Sequence, residues 1–181
     1  MNTLYGNVSE DVLSKAATIK LLVCDVDGVF SDGRIYLGND GEELKAFHTK
    51  DGFGIKALGA SGVDVAIITG RRSNIVTTRM KALNVKHLIQ GEENKLPALQ
   101  TLVDLLELST DEIAFIGDDI PDLACIKHVG LGIAVQDAHP SVCNNANYTT
   151  YTRGGFGAVR EVCDLIMQVQ GSLESAKGAS V

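Results

Sequence analysis

Leu22-Val23-Cys24-Asp25-Val26-Asp27-Gly28 is an apolar run that stops in two carboxylates, one residue apart, and a glycine. A parallel strand covered on both faces reads as a continuous apolar stretch. Open α/β sheets bind their ligands beyond the carboxyl ends of such strands. The run therefore predicts a buried strand with Asp25 and Asp27 at the mouth of a site.

Outward from that strand the chain alternates. Ile19–Cys24 is the first strand. Val63–Ile68, between Gly62 and Gly70, is a second, His87–Gln90 a short third, and Ile113–Ile116 a fourth that ends in Gly117-Asp118-Asp119. Val129–Val135, broken by glycines, is a candidate fifth. Helical spacing falls between them: Ile75, Val76, Met80 and Leu83 behind Ser73 as N-cap, then Leu96, Leu99, Leu102, Val103 and Leu106, and finally Ala158–Val169. Strands alternating with helices predict an α/β fold, a Rossmann-like three-layer arrangement around a mainly parallel sheet. Gly33–Leu37, the turn Gly38-Asn39-Asp40-Gly41 and Glu42–Thr49 interrupt this rhythm as a β-hairpin flap over residues 33–50, directly after the Asp pair. Residues 1–170 read as one domain. Residues 171–181 carry no sustained apolar pattern and are expected to be a flexible tail.

The composition narrows the function. A net charge of -7 argues against nonspecific nucleic-acid binding, which needs a basic surface. With no Trp and few aromatics, the core should be Val, Ile, Leu and Ala. Met1-Asn2-Thr3-Leu4-Tyr5-Gly6 lacks the basic-then-apolar order of a signal peptide, and no apolar run approaches membrane-spanning length. The four cysteines, Cys24, Cys125, Cys143 and Cys163, form no Cys-x-x-Cys pair. Reduced structural thiols in a cytoplasmic protein are the expectation. Cys24 adjoins Asp25, but alternation along the strand turns it to the opposite face.

Three further features join the Asp pair. Thr69-Gly70-Arg71-Arg72 closes the second strand with a hydroxyl and free backbone N–H groups, a good cradle for phosphate oxygens. Lys95 opens an apolar helix, where the dipole disfavours a cation. Gly117-Asp118-Asp119-Ile120-Pro121-Asp122 repeats the strand that ends in carboxylates. Clustered carboxylates call for a cation, and oxygen ligands with phosphate point to Mg²⁺. Asp122 reads equally as a plain helix cap.

Asp25-Val26-Asp27-Gly28, Thr69, Lys95 and Gly117-Asp118-Asp119-Ile120-Pro121-Asp122, in this order, resemble the haloacid dehalogenase superfamily of phosphotransferases. Asp25 through Ile35, Asp51-Gly52-Phe53-Gly54-Ile55, Ile67 through Arg71 and Gly155 through Glu161 are similar to one of its families, the phosphatases of 3-deoxy-D-manno-octulosonate 8-phosphate (Kdo 8-phosphate), which make Kdo for lipopolysaccharide. The resemblance implies a Mg²⁺-dependent hydrolase with an aspartyl-phosphate intermediate. Asp25 would be the nucleophile and Asp27 the acid and base. Asp25, the Asp27 carbonyl and Asp118 would hold the metal. Thr69 and Lys95 would bind phosphoryl oxygens, with Asp119 and Asp122 behind them. It places His48, Thr49, Lys50, Asp51, Gly52 and Lys56 along the substrate region. Arg71 and Arg79, by their own chemistry, are candidates for bidentate contacts to a substrate carboxylate, and read otherwise as ordinary surface arginines.

The stretches between motifs leave no room for a cap domain, so a capless homotetramer is expected, its Gly33–Lys50 hairpins packed together and each site completed by a neighbour. Lys177 in the tail is a candidate to reach an adjacent site. Two alternatives stay open. A phosphatase of a nine-carbon ulosonate 9-phosphate would keep the fold and change the substrate. A receiver-like phospho-acceptor module also combines Asp, Thr, Lys and Mg²⁺, though an added acid at Asp27 favours turnover over a persistent acyl phosphate.

Overall fold

In the computed structural model, which describes residues 3–176, the Asp25 strand lies inside a six-stranded sheet. β1 (Leu21–Cys24), β4 (Asp64–Thr69), β5 (His87–Gln90), β6 (Ile113–Gly117), β7 (Leu131–Ala134) and β8 (Tyr148–Thr149) pair in parallel in the order β5-β4-β1-β6-β7-β8. Counted along this sheet alone, that is the doubly wound order whose direction reverses between its first and fourth strands, here β1 and β6. Cys24 pairs with Ile67 on β4 and with Ile116 on β6. The chain leaving β1 is thus flanked by the two strand ends that carry Thr69 and Asp118.

Alternation divides the apolar residues between two faces. Leu22, Cys24, Ile67, Ile116 and Ile133 face α1 (Glu10–Ala16), α2 (Thr49–Ala60), α3 (Asn74–Ala82) and α7 (Ala158–Val169). Leu21, Val23, Ala66, Ile68 and Phe115 face α4 (Lys95–Leu105), α5 (Leu123–His128) and the short α6 (Pro140–Cys143). Fully burying one such side chain contributes roughly 1.5–3 kcal/mol, so the strand interiors supply the stability against which a charged strand end is held. Cys24 and Val23 lie on opposite faces of the sheet, as alternation predicts. No separate cap domain occurs among the described residues, and none of their helices is long and apolar enough to cross a membrane.

The hairpin is shorter than its sequence suggests. β2 (Tyr36–Leu37) and β3 (Glu43–Leu44) pair antiparallel through Tyr36–Leu44 and Leu37–Glu43 only. The expected second strand to Thr49 ends early because Thr49 opens α2, with His48 as N-cap: its Nδ1 accepts the Lys50 N–H at 3.1 Å. α1 and β8 were not anticipated. Ser9 caps α1 by accepting the Val12 N–H at 3.4 Å.

The turn after β1 is braced by the segment before α7. Glu161 is fully buried, and its carboxylate accepts the Tyr148 hydroxyl at 2.7 Å and the N–H groups of Tyr151 and Thr152 at 2.8 and 2.9 Å. The Thr152 hydroxyl donates to it as well. This fixes the glycines that follow: Gly155 N–H donates to the Val29 carbonyl at 2.8 Å, and a Cβ on Gly154 would strike the Gly28 carbonyl. Beyond α7, Leu173–Ser175 forms a turn of 3-10 helix, and Leu173 and Ala176 pack against the core. Lys177 and the rest of the anticipated tail lie outside the described residues.

Candidate active site

Three strand ends converge on one pocket of about 290 Å³, lined by Asp25, Asp27, Thr69, Arg71, Lys95, Asp118, Asp119 and Asp122 among others. It opens where β1 meets β6, the crevice that the strand order favours. Asp25 N–H donates to the Ile116 carbonyl at 3.1 Å, so the ladder continues one residue past β1 and sets the carboxylate. Gly28 has φ +88, and a Cβ there would run into the Asp118 carboxylate. Glycine is what lets the chain turn away while Asp118 closes in.

Lys95 is buried, and its ammonium lies 2.7 Å from Asp25 Oδ1 and 2.6 Å from Asp122 Oδ1. Burial alone would weaken the ammonium's hold on its proton, but Asp25 and Asp122 outweigh it and the group ends above its ordinary value. That resolves the lysine at a helix start: two carboxylates overcome an unfavourable dipole worth about 0.3–1 kcal/mol. Asp122 Oδ2 accepts the N–H groups of Asp118 and Asp119 at 3.0 and 3.3 Å. Its carboxylate is therefore occupied by donors on both oxygens and holds Lys95 and the Asp118 turn together. Asp119 caps that turn, accepting the Ile120 N–H at 2.8 Å.

Negative charge is in excess here. Oxygen atoms of Asp25, Asp118 and Asp122 lie within 4.8 Å of one another. Burial first, then repulsion from Asp122, pushes the Asp25 carboxyl up to about 6 despite Lys95. Burial, then Asp25, Asp122 and Asp119, pushes Asp118 up to about 8. One ammonium does not balance the cluster, and all the donors are hard oxygens. This fits a divalent cation held by Asp25 and Asp118.

Asp27 faces the hairpin. Its Oδ1 is paired with Lys45 of the hairpin and accepts the Ser31 hydroxyl at 3.4 Å, while its Oδ2 lies 3.8 Å from Arg71 Nε. Thr69 is buried at the end of β4, and its carbonyl takes the N–H groups of Gly91 and Glu92.

The structure thus brings together Asp25, Asp27, Thr69, Arg71, Lys95, Asp118, Asp119 and Asp122. His48, Thr49, Lys50, Asp51, Gly52, Lys56 and Arg79 do not line this pocket. His48 caps α2, and Thr49 and Lys50 are exposed beside it. Asp51 is buried between α2 and α7, where its Oδ1 accepts the Arg160 N–H at 2.8 Å and its Oδ2 has no hydrogen-bond partner among the described residues. Gly52 lies under the Arg79 guanidinium, which a Cβ would strike. Lys56 borders a separate groove with Leu83 and Val85. Lys45 and Glu43 were missed by the sequence reading. A charged residue in a short exposed strand looks like ordinary edge protection.

Residues 87–160 match the haloacid dehalogenase-like hydrolase family. The chain is 51% identical to 3-deoxy-D-manno-octulosonate 8-phosphate phosphatase KdsC of Yersinia pestis over 181 residues, 100% of this chain and 97% of that protein. The 1.95 Å crystal structure of the Yersinia pestis phosphatase superposes with a TM-score of 0.98, covering 100% of this chain and 98% of that one at 51% identity. That of the Moraxella catarrhalis phosphatase, in complex with magnesium ion, phosphate ion and KDO molecule, gives 0.91 at 43% identity, covering 93% and 97%.

Proposed function

The chain belongs to the 3-deoxy-D-manno-octulosonate 8-phosphate phosphatases, a capless family of haloacid dehalogenase-like hydrolases, and from that we propose that it hydrolyses Kdo 8-phosphate to Kdo and phosphate with Mg²⁺. The observation that carries the reading is the buried Asp25–Lys95–Asp122 group beside Asp118, at the point where strand order reverses. The magnesium, phosphate and Kdo held by the Moraxella catarrhalis relative support both cofactor and substrate.

Asp25 attacks phosphorus; the ester P–O bond breaks and the departing oxygen takes a proton from Asp27. A water molecule then attacks the aspartyl phosphate, Asp27 accepts its proton, and the bond to Asp25 breaks to release phosphate. An alkoxide leaves poorly, so the proton from Asp27 matters. Lys95 steadies the Asp25 carboxylate and, with Thr69, faces the phosphoryl oxygens. When bound by Asp25, the Asp27 carbonyl and Asp118, Mg²⁺ offsets repulsion between the nucleophile and the phosphate dianion. Arg71, at the pocket edge and half exposed, is the candidate partner for the sugar-acid carboxylate.

The assembly belongs to the same reading. Ile35, Tyr36, Leu37 and Leu44 are exposed on one small hairpin, an apolar patch that the described residues leave uncovered. A homotetramer packed through the hairpins would cover it and complete each site; sedimentation giving a fully active monomer would count against this. The free thiols of Cys24, Cys125, Cys143 and Cys163 support a cytoplasmic setting.

The deciding measurement is phosphate release with Mg²⁺ from Kdo 8-phosphate against a panel of sugar phosphates that includes a nine-carbon ulosonate 9-phosphate. The highest kcat/KM is expected on Kdo 8-phosphate. A higher value on the nine-carbon ester would reassign the substrate.

A further inference from the structure

Lys45 stands on the hairpin, yet its side chain is wholly covered while the Asp27 side chain it pairs with remains 21% exposed. Immobilising a lysine stem costs up to about 2 kcal/mol of rotamer freedom, and burying its ammonium costs more unless it is paired. Lys45 has two acidic partners. The ammonium pairs with Asp27 Oδ1 and lies 3.2 Å from Glu43 Oε1, an ion pair without hydrogen-bond alignment. Glu43 Oε2 in turn accepts from Arg71 Nη2 at 3.2 Å, and Arg71 Nε lies 3.8 Å from Asp27 Oδ2. The four side chains close a ring of alternating charge between the hairpin and two strand ends.

The two oxygens of Asp27 are not equivalent within this ring. Oδ1 has the close partner, Lys45, and also the Ser31 hydroxyl at 3.4 Å. Among the described residues Oδ2 has only the long contact to Arg71, a residue that lines the pocket. A carboxylate gripped at one oxygen presents the other in a fixed direction.

We propose that Lys45 is a positioning residue for phosphoester cleavage: it grips Asp27 Oδ1 and so leaves Oδ2 to deliver and recover the proton, while Glu43 holds Lys45 in place. The proposal rests on the assignment of Asp27 as acid and base. It also gives the hairpin a task within its own chain, separate from any contact with a neighbour. The chemistry is unchanged by it: Oδ2 gives its proton to the departing oxygen as the ester P–O bond breaks, and takes one back from the attacking water.

Lys45→Met keeps the stem and removes the charge. Turnover of Kdo 8-phosphate and of p-nitrophenyl phosphate, both with Mg²⁺, is compared for wild type, Lys45→Met and Lys45→Arg, each with Asp27 intact and as Asp27→Asn. The expected loss for Lys45→Met is about 10- to 100-fold in kcat on the sugar phosphate and under about threefold on the aryl ester, whose leaving group needs little proton assistance. Lys45→Arg should recover part of that loss. In the Asp27→Asn background Lys45→Met should add nothing. Equal losses on the two esters, additive losses with Asp27→Asn, or wild-type turnover in Lys45→Met would overturn the proposal. Should Lys45→Met fail to fold, Glu43→Gln carries the same test: a smaller loss confined to the sugar phosphate is expected, and an equal loss on both esters refutes it. Wild type inert on Kdo 8-phosphate but active on another alkyl phosphate would count against the substrate assignment alone, and Lys45 would then be read on that ester.

Discussion

Lys95 Nζ stands 2.7 Å from Asp25 Oδ1, with both side chains nearly sealed from water. The contact unites two sequence features that looked unrelated, a lysine placed against a helix dipole and a carboxylate placed at the end of an apolar strand. Each is unfavourable alone, and each offsets part of the other's cost.

Lys95→Met should therefore damage more than catalysis. It leaves Asp25 facing Asp122 without a cation, and breaking a buried pair by removing one partner costs about 3–5 kcal/mol. Phosphate release should fall by at least about 100-fold. Thermal unfolding should show a lower Tm, with part of the deficit restored by Mg²⁺.

Asp118→Asn separates stability from function. Burial and three neighbouring carboxylates push Asp118 up to about 8, so the uncharged replacement should raise Tm in EDTA. The same variant should lose most of the Tm increase that Mg²⁺ gives the wild type, together with turnover. A lower Tm in EDTA would show that repulsion does not dominate there. Asp25→Asn should abolish phosphate release and leave circular dichroism unchanged.

Gly154→Ala tests the brace behind the site. A Cβ there meets the Gly28 carbonyl, so the turn after β1 must shift, and a misplacement of about 1 Å can cost on the order of 100-fold in rate. Turnover should fall sharply with a modest loss of stability. Gly59→Ala is the control, since a Cβ at Gly59 meets nothing within 4 Å.

Asp51 gives a pH signature. Burial pushes its carboxyl up to about 7, against the opposing Arg160 N–H and the charges of Arg160, Arg79 and Lys50. Its ordinary value is about 3.9, so between these two the folded chain holds a proton that the unfolded chain releases. The stabilisation from this group is complete below about pH 3.9 and is lost as pH rises through about 7, a change of roughly 4 kcal/mol at most. In Asp51→Asn, Tm measured from pH 4 to 8 should lose the corresponding downward slope.

The strand ends were legible because their signature is local: an apolar run, then carboxylates or a hydroxyl, then glycine. Asp25 and Thr69 follow that rule, Asp118 varies it by placing Gly117 ahead of the carboxylates, and parallel pairing in the observed register brings the three together. Lys95 was legible as an exception to the dipole preference. Lys45 was not, because its partner is set by how the hairpin folds back over β1. Asp51 and Gly52 were assigned to substrate by resemblance; within one chain they lie at the start of α2, against α7 and Arg79 and outside the pocket. β8 has two residues, too few to show a period, but α1 did carry a signal in Ser9 and in Val12 and Ala16 at helical spacing.

The order of the sheet has a consequence for how this chain can drift. Adjacent strands lie about 4.8 Å apart, so the backbone ladder works as a ruler that spaces the reacting groups before any side chain in the interior is chosen. Exchanges of Val, Ile and Leu within β1, β4 and β6 at constant volume should change melting behaviour and leave kinetics untouched. A slip of β6 by one residue, which carries Asp119 to the position of Asp118 and turns Phe115 and Ile116 to the opposite faces, would damage both. The interior is an interchangeable filling; the measurement is made by the peptide bonds.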